Sequence, residues 1–133
     1  MGPAPLGFAY FAAVKLAGYT LAGHRLRRVY RTETPKPLVF GLARTALGVL
    51  AGLAFAAIAW KVGVGRSEVL YYVLLAPIRF AEWVFILWLL FDRRPASIGR
   101  LLALAAVGSL WSYVLDIPAI FAVFTLPGGA WIC

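Results

Sequence analysis

At 133 residues the chain has room for one domain, 1–133, and for no separate soluble module. Its residues are 63% hydrophobic and only 14% charged, which excludes an ordinary soluble domain. The formal charge of +8 would suit a nucleic-acid binder, but the cations gather at the ends of apolar runs. That placement points to anionic lipid head groups and away from nucleic acid.

Four apolar runs follow in order, at about 5–23, 38–60, 69–91 and 101–126. The first is followed by His24-Arg-Leu-Arg-Arg-Val-Tyr-Arg31, which is expected to end it. The second is preceded by Pro35-Lys36-Pro37, and a proline at a helix start is tolerated because the first N–H groups have no helical partner. The third is Val69 to Phe91, and the fourth closes at Pro127-Gly128-Gly129. At about 1.5 Å per residue, each reaches across a hydrocarbon core of about 30 Å, the longer ones with tilt. The expected fold is all-α: four transmembrane helices joined by short loops in an up-down antiparallel bundle.

Lys and Arg set the expected orientation. Arg25, Arg27, Arg28, Arg31 and Lys36 follow the first run, and Arg93, Arg94 and Arg100 follow the third. The opposite side carries Lys61 and Arg66 alone. This asymmetry puts both basic loops in the cytoplasm and both termini outside, as in a bacterial cytoplasmic (inner) membrane. Positive charge follows the first run instead of preceding it, so that run reads as a retained anchor and not a cleaved signal. Tyr10, Trp60, Tyr71, Tyr72 and Trp131 then fall near the outer interface, Tyr30 and Trp88 near the inner one.

Small residues mark expected close packing. Gly48-Val-Leu-Ala-Gly52 is a GxxxG with Ala56 continuing the stripe; Gly18 and Ala22, and Gly108 and Ser112, share its spacing. They serve helix contacts within the chain or between copies in a homo-oligomer. Pro77 and Pro118 lie inside the third and fourth runs, where each removes one helical hydrogen bond.

The functional signal is charge within these runs. Arg79 and Glu82 sit inside VLYYVLLAPIRFAEWVFILWLLF, and Lys15, Arg44 and Asp116 repeat the pattern in the other three. Such a group costs about 2.5–3.5 kcal/mol at a helix centre, so it persists only where it faces protein, water or an opposite charge. Arg79, Glu82, Asp116, Arg44 and Lys15 are therefore the candidate binding site or ion pathway, with Arg79, Glu82 and Asp116 at its centre. Lys15 and Arg44 are closer to the run ends and have stems long enough to snorkel. Tyr19, Thr20, Thr45, Ser109, Trp111, Ser112, Tyr113 and Trp83 flank these charges.

Other chemistry is missing. A lone histidine, His24, makes no histidine-based haem or zinc site, and the lone Cys133 makes no internal disulfide. No glycine-rich phosphate loop and no serine nucleophile elbow occurs, so no catalytic residue, metal or cofactor is assigned. Arg25, Arg27, Arg28, Arg93 and Arg94 are placed to meet anionic lipid head groups. Asp92-Arg93-Arg94 also reads as a helix stop. Three readings fit: transport, conduction or binding of an anionic ligand or lipid, with a carboxylate carrying a proton; a non-catalytic subunit of a larger membrane complex; and a lipid-modifying membrane enzyme.

Overall fold

A computed structural model of the chain describes residues 5–63, 67–94 and 96–125. They form four helices: α1 (Pro5–Tyr30), α2 (Pro37–Val62), α3 (Glu68–Leu90) and α4 (Ile98–Thr125). Three of these, over Pro37–Val62, Val69–Leu90 and Ile98–Pro118, are long and apolar enough to cross a membrane. Helix α1 has 26 residues, but Lys15, His24 and its arginines make it more polar. The expected features at Met1–Ala4, Arg66, Pro127–Gly129, Trp131 and Cys133 lie outside the described residues.

The helices run furthest past the apolar runs at the end of α1 and the start of α4. Helix α1 does not stop at Gly23 but continues through the basic segment to Tyr30. Arginine and leucine are good helix formers, and Leu26 is buried, so the helix keeps a packed face after its apolar run ends. It terminates with Arg31 at a φ of 51°. Thr32 N–H donates to the Arg27 carbonyl at 3.1 Å and Arg31 N–H to the Arg28 carbonyl at 3.3 Å. This pair of bonds is the Schellman termination, which satisfies the last carbonyls. Helix α4 begins at Ile98, where Ser97 Oγ accepts from Arg100 N–H at 3.3 Å; Ser67 Oγ does the same for Leu70 N–H at 3.4 Å before α3. Both helices run through their internal prolines, Pro77 and Pro118.

Packing gathers the chain into two units. The first comprises α1, α2 through Thr45, and α4 from Leu110. Here glycines bring backbones together. A Cβ on Gly41 of α2 would meet Thr20 N at 3.0 Å and Leu16 O at 3.2 Å on α1, and one on Gly23 would meet the Phe40 ring. A Cβ on Gly18 would overlap the Leu115 side chain, and Trp111 Nε1 donates to the Gly18 carbonyl at 3.0 Å, tying α4 to α1. The second unit holds α2 from Ala46, α3, and α4 through Ser109. In it the buried Trp83 indole lies against Gly108, where any Cβ would collide with the ring. The Phe55 and Tyr71 rings pack tilted at 49°, with centroids 4.9 Å apart. Within the GxxxG of α2, Gly52 is buried, Gly48 half-buried and Ala56 exposed.

Four charged side chains are buried while many large apolar ones are exposed, against the pattern of a soluble protein. Lys15, Arg44, Arg79 and Asp116 are at most 2% exposed, whereas Leu50 is 66% and Trp60 85% exposed. An aqueous protein hides its apolar side chains first; a lipid solvent reverses the preference. With three helices of spanning length, this is the surface of a membrane protein.

The close approach of α1 and α2 is testable. Gly41→Leu is expected to lower stability by about 1–3 kcal/mol, the usual effect of overpacking a contact where backbone cannot yield. Gly99→Ala, whose new methyl meets nothing nearer than Ser97 Oγ at 3.8 Å, is expected to be neutral or mildly stabilising. Thermal unfolding in detergent, followed by circular dichroism, distinguishes the two.

Candidate functional site

In the first unit, α1 and α4 bring two opposite charges together. The Lys15 ammonium pairs with Asp116 Oδ1, and both side chains are almost completely buried. The lysine also donates to the Ser112 carbonyl at 3.3 Å. Ser112 and Asp116 are four apart on α4, so one helical face presents both acceptors. Tyr19, one turn beyond Lys15 on α1, lies over the same place, its hydroxyl donating to Ser112 Oγ at 3.0 Å.

The Tyr19 ring is shared by two cations. Lys15 Nζ sits 5.7 Å from its centroid and the Arg44 guanidinium carbon 5.0 Å. Phe11 adds a second ring, 5.5 Å from Lys15 Nζ. Within about 6 Å an aromatic face attracts a cation through its quadrupole, by about 2 kcal/mol or more when water is excluded. Two cations thus lie on one aromatic ring, beside a single carboxylate, in a buried setting. The hydroxyls of Thr20 and Thr45, which flank Tyr19 and Arg44 in sequence, are buried without hydrogen-bond partners among the described residues. Lys15, Arg44 and Asp116 are thus gathered around the Tyr19 ring, two cations and a carboxylate, in a buried setting.

The five expected residues divide between the units. Lys15, Arg44 and Asp116 converge in the first. Arg79 and Glu82 belong to the second, on α3, with Arg79 fully buried and Glu82 partly so. Lys15 and Arg44 are both buried within the protein, Lys15 against Asp116 and Arg44 over the Tyr19 ring. Tyr19 and Ser112 hold the cluster together, and their only signal in the sequence is a one-turn spacing from Lys15 and Asp116. Ser109 back-bonds to the Ala105 carbonyl at 2.8 Å within its own helix. At the end of α3, Arg93 Nε donates to the Leu89 carbonyl at 3.1 Å, so this arginine caps its helix.

No protein-family model, curated protein or solved structure matches the chain.

Removing one partner of the buried pair strands the other. Asp116→Asn is expected to destabilise the protein by about 3–5 kcal/mol. Tyr19→Phe keeps the ring and loses the hydroxyl bond to Ser112, for about 1 kcal/mol. Thermal unfolding of both variants in the same detergent checks the order; equal losses would show that the ion pair does not dominate the cluster.

Proposed function

We propose that the protein is a small anion-transporting or anion-conducting membrane protein, working through the buried cluster of Lys15, Arg44 and Asp116. One observation carries the reading: the Lys15–Asp116 ion pair, buried between two helices of an apolar chain with Arg44 on the ring beside it. A buried ion pair adds little net stability over apolar side chains of similar volume. Ionisable groups kept inside a membrane domain commonly mark ion or substrate pathways.

The arrangement supports a proton-coupled cycle. Asp116 acts as an internal anion that occupies the lysine. A proton on its carboxylate neutralises it and breaks the ion pair. An incoming anion then takes the vacated place between Lys15 and Arg44. Loss of the proton restores the pair and expels the anion, so one proton accompanies each anion.

In this reading all four helices cross the membrane in up-down order. Pairing with Asp116 lowers the cost of carrying Lys15 across, which supports α1 as the fourth span. The basic loops face the cytoplasm of a bacterial inner membrane, with both termini outside. The exposed apolar faces of α2 to α4 meet lipid or further copies in a homo-oligomer. The subunit reading needs intramembrane charges that await a partner protein; internal pairing of Lys15 with Asp116 favours it less. A lipid-modifying enzyme would need a nucleophile–base pair, which the cluster does not supply.

The deciding experiment uses the double variant Lys15→Met/Asp116→Leu, which removes both charges while keeping volume. Flux of chloride, fluoride and phosphate, and of protons, is measured in proteoliposomes. The expected outcome is a variant at least as stable as the wild type but without anion flux. Wild-type flux in the double variant, or none in the wild type with any of the three anions, overturns the proposal.

A further inference from the structure

A second polar feature lies at the far end of α1. A cleft of about 260 Å³ is lined by His24, Arg27, Arg28, Arg31, Thr32 and Glu33. Three arginines stand against one carboxylate, so the cleft is cationic. Thr32 is already engaged: its hydroxyl donates to the Thr34 carbonyl at 3.1 Å and accepts from Thr34 N–H at 3.3 Å. The arginines and His24 are left to make contacts.

Arg28 and Arg31 are exposed and Arg27 is half-buried, and two further observations concern them. Arg27 Nε is buried with no hydrogen-bond partner among the described residues. A buried guanidinium N–H without an acceptor is unfavourable unless something supplies one. Arg31 occupies the left-handed region at φ 51°. At the end of α2 the corresponding left-handed position is taken by Gly63, at φ 78°, which adopts it without a Cβ penalty. A helix C-terminus favours cations in its last turn, which accounts for Arg27 and Arg28. It does not account for an arginine where glycine fits best. Backbone strain of this kind persists where the side chain is needed.

We propose that this cleft is a binding site for a phosphate group. Guanidinium groups recognise phosphate oxygens through paired N–H donors, and three of them converge here from one helix turn and the residue that ends it. The volume falls below the about 300–1,000 Å³ of small-molecule pockets, which suits a phosphate head group better than a nucleotide. The source is a membrane phospholipid or a free phosphate, and the chemistry of recognition is the same. Glu33 lowers the net charge without cancelling it. This site is separate from the Lys15–Asp116 cluster and does not depend on transport.

The test exploits opposite effects of one substitution. Arg31→Gly relieves the left-handed strain while removing a cation, and Arg28→Gln removes a cation from the helical part of the cleft. The full-length protein and both variants are examined by native mass spectrometry from detergent doped with phosphatidylglycerol, or with diacylglycerol of the same chains. In parallel, thermal unfolding is followed with and without millimolar inorganic phosphate. The expected result is that Arg31→Gly unfolds at a temperature equal to or above the wild type. Both variants retain phosphatidylglycerol at least fivefold less than the wild type, and diacylglycerol is not retained by any. A phosphate-dependent rise in unfolding temperature, lost in both variants and without a lipid adduct, supports the same site with a soluble phosphate as its ligand. Equal phosphatidylglycerol retention in all three proteins, or no adduct and no phosphate effect in the wild type, overturns the proposal.

Discussion

The first unit is organised around one contact: a lysine in a largely apolar helix is neutralised within the protein. Lys15 pairs with Asp116, and the pairing requires α1 and α4 to lie side by side with matched height. Gly18 makes that approach possible, since any side chain there would collide with Leu115. The Trp111 bond to the Gly18 carbonyl then fixes the register between the two helices. The small residue, the indole donor and the ion pair are parts of one contact, each of little use without the others.

Burial of charge in this protein is compensated by aromatic faces as much as by opposite charge. Tyr19 lies under two cations and bonds to the serine whose carbonyl receives the lysine. An aromatic quadrupole stabilises a cation without neutralising it. The cluster can therefore hold more positive than negative charge, which a network of carboxylates would not allow. The α1 terminus repeats this cationic character with arginines at a cleft, one of them held in a backbone conformation suited to glycine.

The sequence made much of this legible. Composition and four apolar runs show an all-helical chain with spans of membrane length, and the intramembrane charges stand out by residue type and position alone. Helix ends were less readable. The basic segment after Gly23 marks the end of an apolar run, but a helix ends where its hydrogen bonds end, and α1 continues until Arg31 turns left-handed. Apolarity reports the solvent around a helix, and backbone geometry reports its length; the two need not stop at the same residue.

What the linear chain determined was therefore the set of candidates: Lys15, Arg44, Arg79, Glu82 and Asp116, each out of place in an apolar run. What only the tertiary structure decided was their pairing and rank. Arg79 and Glu82 are three residues apart on one helix and draw attention as a local pair. Lys15 and Asp116 are separated by 101 residues, and nothing local indicates that they meet. The long stem of Lys15 permits both an interfacial and an inward position, and the sequence does not choose between them. The choice is made by which helix lies alongside and what it presents, because the interaction of two charges depends on their separation in space and on the medium between them. Neither quantity is a property of the chain until it is folded.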